Sequence, residues 1–178
     1  MPEILIFGGH LDEPPAYAQP ILVAYALASM NWGRLEQQLD MALISVNKDY
    51  YSPLKPRETP STSFRIKLEL FRDWFVKDPR FSEFHHNANR LYKSLKRASE
   101  DRVLLIHSNV QRFVEGPPVS VEVVNIHTGK GNVTVQRAVW SEDQIRSVAS
   151  KLNALNHGLR TITERALTPD FLRSLEKA

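Results

Sequence analysis

The sequence predicts a mainly α-helical bundle with a small β-hairpin set before its last long helix. Three observations carry this expectation. Apolar residues recur at steps of three and four over most of the chain, the period of a helix with one buried face. Two β-branched runs, at 119–126 and 133–140, surround Thr128-Gly129-Lys130-Gly131-Asn132, the pattern of a hairpin with a glycine-bearing loop. Ser141-Glu142-Asp143-Gln144 then forms a capping box that opens a further helix.

Composition is compatible with this and narrows the function classes. The chain has 178 residues, 42% of them hydrophobic and 24% charged, enough for one domain with a real core. It contains no cysteine, which excludes disulfides, thiolate metal sites and a cysteine nucleophile. The opening Met-Pro-Glu-Ile-Leu-Ile-Phe lacks the basic region and the apolar length of a signal peptide. No run approaches the ~18 apolar residues of a membrane span. A cytoplasmic protein without membrane contact is expected. A net charge of +3 permits a nucleic-acid partner without demanding one.

In chain order, residues 3–7 form a short apolar run, a strand or a docked arm, ended by Gly8-Gly9 and Pro14-Pro15. His10, Asp12 and Glu13 read as a solvated loop rather than a metal set. Pro20 opens the first helix, where its missing N–H costs nothing. Ile21, Tyr25, Ala28, Trp32, Leu35, Leu39, Ala42 and Val46 continue it to about residue 48. Glu36 lies off that stripe, as a surface charge, a partner for a neighbouring cation, or an acid behind a functional site. Pro53, Pro56 and Pro60 make residues 50–60 an exposed connection.

Helix two is expected over 62–76. Its stripes Phe64-Leu68-Phe71-Phe75 and Ile66-Leu70-Trp74 give an apolar arc wide enough for two neighbours or a second subunit. Asp78-Pro79 supplies an N-cap and a first-turn proline for helix three, whose inner face is Phe81, Phe84, Ala88, Leu91, Leu95 and Ala98. Adjacent His85 and His86 cannot share a helix face and do not read as a zinc pair. Ser99-Glu100-Asp101 would cap a new helical segment, although the Leu95-Ala98-Arg102-Leu105 spacing equally suits an unbroken helix. After the hairpin, Ile145, Val148, Leu152, Leu155, Leu159 and Ile162 predict a long helix to about Ala166, with His157 beside the stripe in a structural place. Thr168-Pro169 caps a short last helix. One domain is expected, with core helices over 20–109, the hairpin over 117–140 and the long helix over 141–167.

The stretch with chemistry in it is Ser-Glu-Asp-Arg-Val-Leu-Leu-Ile-His-Ser-Asn, residues 99–109. Arg102 is a fixed cation whose planar donors suit a phosphate. His107 gives or takes a proton near neutral pH. Together they are the minimum equipment for cutting RNA without a metal or any cofactor. Asp101, Ser108 and Asn109 flank the pair and are the candidate substrate-binding residues. At about 100° per residue, Arg102 and His107 point roughly 140° apart on an ideal helix. A long arginine reaching round the helix, or a second subunit, would bring them together. The same residues also read as an ordinary buried helix whose arginine forms an ion pair and whose histidine caps its end.

This Arg-x4-His spacing, after two amphipathic helices and a third helical segment, resembles the HEPN superfamily over roughly residues 20–167. Residues 31–40, Asn-Trp-Gly-Arg-Leu-Glu-Gln-Gln-Leu-Asp, also look like the first helix of many bacterial HEPN-like proteins. The resemblance implies a metal-independent endoribonuclease with Arg102 and His107 as catalytic residues at the interface of a homodimer. It further implies a place in toxin or defence systems and a protein partner such as an antitoxin. Active members commonly carry a polar residue after the arginine. Here it is Val103, which favours the other class the superfamily contains, a non-catalytic dimeric module binding RNA or a protein.

Overall fold

Residues 14–50, 63–106, 108–129, 132–168 and 170–171 are described by the structure, a computed structural model. The expected run at 3–7, the loop with His10, Asp12 and Glu13, and the proline connection over 51–60 lie outside the described residues.

A mainly helical architecture is what the chain adopts. A 3-10 turn, Ala16–Ala18, leads into helix α1, Gln19–Tyr50, with Pro20 in its first turn. Ile21, Ala24, Ala28, Leu35, Leu39 and Ala42 are fully buried along one face of α1. Helix α2, Phe64–Arg72, ends in a π-helical turn, Asp73–Lys77. Asp78 then caps the next turn, its Oδ1 accepting from the Arg80 N–H at 3.0 Å ahead of Pro79. That turn, Pro79–Phe84, is 3-10 and kinks at Phe81 before helix α3, His85–Ile106. Phe71, Phe75, Phe81, Phe84 and Phe171 stack in series around this corner, with ring centroids 5.0–6.5 Å apart. Of the expected short last helix, Phe171 belongs to this cluster; the residues from 172 on lie outside the described set.

One alternative that the sequence left open is settled, and one strand is added. Helix three and the Arg102 segment are one unbroken helix. Ser99 caps nothing; its hydroxyl donates back to the Lys96 carbonyl at 2.6 Å inside α3. The hairpin is also one strand short of the observed sheet. Strands β1 (Asn109–Val114), β2 (Ser120–Gly129) and β3 (Asn132–Ser141) form an antiparallel sheet in the order β1-β2-β3. Alternation did not reveal β1 because its pairing slips between Val110 and Arg112, leaving Gln111 as an extra residue. The slip lets both Val110 and Phe113 pack on the core, opposite Val123 and Val121. Gly116, at φ +153°, turns the chain between β1 and β2, a conformation open to a residue without a Cβ.

Helix α4, Glu142–Ala166, starts at the expected capping box, with both reciprocal hydrogen bonds of Ser141 and Gln144 formed. It packs along α1, and the Asn31 side chain donates to the Ala149 carbonyl between them at 2.9 Å. The sheet lays its Val121 and Val123 face on the helices. No helix among the described residues is long and apolar enough to cross a membrane.

Candidate functional site

Arg102 lies in the second-last turn of α3 and turns toward α1. Trp32 and Glu36, four residues apart, share the α1 face that meets it. The Arg102 guanidinium carbon sits 4.8 Å from the Trp32 ring centroid, within cation–π range. Its Nη2 is 3.5 Å from Glu36 Oε1, an ion pair longer than a charge-assisted hydrogen bond. The Arg102 side chain is 24% exposed and that of Glu36 27%. Arg102 Nε and Trp32 Nε1 are both buried with no hydrogen-bond partner among the described residues. So Glu36 is the partner of a neighbouring cation, one of the alternatives its position allowed.

The other candidate residues scatter. Asp101 is half-buried on α3, beside Arg102 in sequence. Ser108 is half-buried between α3 and β1, its hydroxyl enclosed and without a partner among the described residues. Asn109 opens β1, exposed, in register with Val124. His107 lies outside the described residues. Thus the structure unites Arg102 with Trp32 and Glu36 rather than with Asp101 or Asn109.

Val103 has a structural part that its type did not signal. Its carbonyl accepts a hydrogen bond at 3.2 Å from Nδ2 of Asn125, a buried residue of β2. An amide in the interior of a sheet needs such a partner, and this one pins the end of the Arg102 helix to the sheet. Leu105, fully buried, anchors the same turn in the core.

No family model, no curated protein and no solved structure matches the chain. The chemistry of the site therefore rests on its own residues.

A second feature stands on the other side of α3. Arg90, Lys93 and Arg97 follow each other at steps of three and four on its exposed face, with Lys96 beside them. Among the described residues no ion pair involves these four, whereas Lys67, Arg72, Arg80, Arg112, Arg146 and Arg160 each have an acid. The row spans roughly 10 Å along the helix. Its signal was present in Arg-Leu-Tyr-Lys-Ser-Leu-Lys-Arg, as cations opposite the apolar stripe of Leu91 and Leu95. Among the described residues no group of three or more His, Asp or Glu side chains could hold a metal ion.

The wide apolar arc of α2 is largely used within the chain. Phe64, Leu68, Phe71 and Phe75 are buried and Leu70 and Trp74 pack against the core, leaving Ile66 exposed. Lys67, itself buried, places Nζ 2.7 and 2.8 Å from the two carboxylate oxygens of Asp40, tying α2 to α1.

Proposed function

We propose that the chain is a HEPN-like helical module that binds RNA along the outer face of α3, with Arg102 as a structural latch. The row of Arg90, Lys93, Lys96 and Arg97, which forms no ion pair among the described residues, carries this reading. RNA affinity comes mainly from several cations that neutralise phosphates and release counterions. A cation already beside a carboxylate, as Arg102 is beside Glu36, has part of that capacity taken up. The position of Arg102 near the end of the third helix, after a long first helix, supports the HEPN-like part of the reading.

The test is the triple variant Arg90→Ala, Lys93→Ala, Arg97→Ala, made at exposed positions so that the fold is kept. Its affinity for a mixed RNA pool falls, and the dependence of log affinity on log salt flattens by about two, from three lost phosphate contacts. Unchanged affinity and slope would overturn the RNA reading.

One observation favours a second reading, a metal-independent endoribonuclease. Arg102 Nε and Trp32 Nε1 are buried donors without an acceptor among the described residues, and a phosphate oxygen would satisfy them. Arg102 would then stabilise charge on the phosphate, and His107 would move the proton of the ribose 2′-OH or of the leaving oxygen. Attack by the 2′-OH leaves a 2′,3′-cyclic phosphate. This reading brings with it the composite site of a homodimer, a toxin or defence role and an antitoxin-like partner.

A further inference from the structure

Strand β3 is an unguarded edge among the described residues. Of the two outer strands of the sheet, β1 is short and its pairing slips between Val110 and Arg112. A bulge of that kind twists an edge away from further pairing. Strand β3 instead pairs with β2 in one unbroken register over its 10 residues. It contains no proline and no glycine, and its one charged residue is Arg137.

The hydrogen-bond pattern fixes which groups that edge leaves open. Glu142 donates its N–H to the Val119 carbonyl at 3.1 Å, one step beyond the couple of Ser120 with Ser141. In an antiparallel pair every second couple exchanges its hydrogen bonds. Val121 with Trp140, Val123 with Ala138 and Asn125 with Gln136 therefore bond across. Val133, Val135, Arg137 and Val139 turn their N–H and C=O groups outward. Ser141, next in the outward set, agrees: its N–H donates to Gln144 Oε1 at 2.9 Å. The outward groups of the other four have no partner among the described residues. Their side chains stand on the outer face of the sheet, since Ala138 and Trp140 between them pack on the core. Val133, Val135 and Val139 are 66%, 51% and 61% exposed.

We infer that β3 takes up an extended segment of another protein as an added antiparallel strand, with the pattern apolar-x-acid-x-apolar-x-apolar. Each part of that pattern answers a group of the edge. Donors and acceptors in alternation are met together by a strand. A phosphate backbone, which brings acceptors, would leave the outward carbonyls unmet. On the outer face, three apolar residues of the segment lie beside Val139, Val135 and Val133, and its acid lies beside Arg137. Arg137 forms no ion pair among the described residues, and the acid of the same face, Glu122, is held by Arg112 at 2.7 Å.

A second copy of β3 does not fit this place. Residues 123–141 contain no Asp or Glu, so the edge of another copy brings no acid to Arg137 in any register. The outer face also points away from the helices, and the proposal does not rest on the RNA reading.

The probe is a fluorescent nonapeptide, Thr-Val-Thr-Glu-Thr-Val-Thr-Val-Thr, titrated with the full chain and followed by anisotropy. It should bind in the micromolar range. Val135→Pro should weaken binding at least tenfold with unchanged circular dichroism, because it deletes an outward N–H while the β2–β3 ladder keeps its bonds. Arg137→Glu should weaken binding about fivefold, and a peptide with Lys in place of Glu should recover that loss on the variant. A variant lacking residues 1–13 should bind as wild type does. No binding at roughly 100 µM protein would overturn the proposal. So would an affinity indifferent to Val135→Pro, or a charge swap that restores nothing. A tenfold gain on removing residues 1–13 would overturn it too, by showing that the edge is filled from within the chain. Self-association of wild type that Val135→Pro abolishes would do the same, by showing that a second copy fills it.

Discussion

Arg102 lies over the indole face of Trp32, 4.8 Å from its centroid, while Glu36 on the next turn of α1 holds one end of the guanidinium. A planar cation stacked on a ring and paired with a carboxylate joins α3 to α1. Lysine cannot copy the stacked geometry. Arg102→Lys should therefore destabilise the fold by about 1 kcal/mol, and Glu36→Gln by up to about 1 kcal/mol. The double variant should lose less than the sum, because the two residues touch. Urea denaturation measures all three. RNA affinity should stay within about twofold of wild type. If Glu36→Gln instead tightens RNA binding tenfold (about 1.4 kcal/mol), Arg102 contacts phosphate and the latch reading fails.

His107 separates binding from cleavage. As a binding module, wild type and His107→Ala should hold a mixed RNA pool equally, and neither should release 2′,3′-cyclic phosphate ends. The nuclease reading predicts the opposite: EDTA-resistant cleavage by wild type, lowered ~10²–10⁴-fold by His107→Ala with binding kept. End-group analysis of the products, with a control for contaminating nuclease, decides between them.

Tyr25 makes stability depend on pH at the alkaline end. Burial pushes its hydroxyl from 10.0 up to about 12, and the hydroxyl oxygen has no partner among the described residues. A raised folded pKa means that the folded state resists losing this proton. The contribution is fully present below pH 10 and is lost as pH rises from 10 to about 12. Tyr25→Phe removes both the titration and the unsatisfied polar group. It should be more stable than wild type by about 1 kcal/mol at pH 8, with a gap that widens between pH 10 and 12. Denaturation midpoints of the two proteins over that range give the comparison directly.

Local chemistry made much of this protein legible in advance. The mainly helical class, the two long β-branched strands and the starts at Pro20, Asp78-Pro79 and Ser141 depend on periodicity, caps and proline geometry. Those act over a few residues, so the sequence alone determined them. Long-range contacts decided the rest. Strand β1 escaped because one extra residue breaks its alternation. The α3 segment stayed open between two helices and one because a possible cap at Ser99 competed with an unbroken apolar stripe, and packing favoured the stripe. Arg102 and Glu36 are 66 positions apart in the sequence, and no local pattern says that α1 offers Glu36 and Trp32 to that arginine. The inner stripe of α1 was legible, and Ile21, Ala28, Leu35, Leu39 and Ala42 are buried as it requires, but that α4 is its main cover, with α2 and α3 beside it, was not. An apolar residue in a helix is marked for burial by its type, but which element supplies the cover is settled only by the neighbours the tertiary fold places around it.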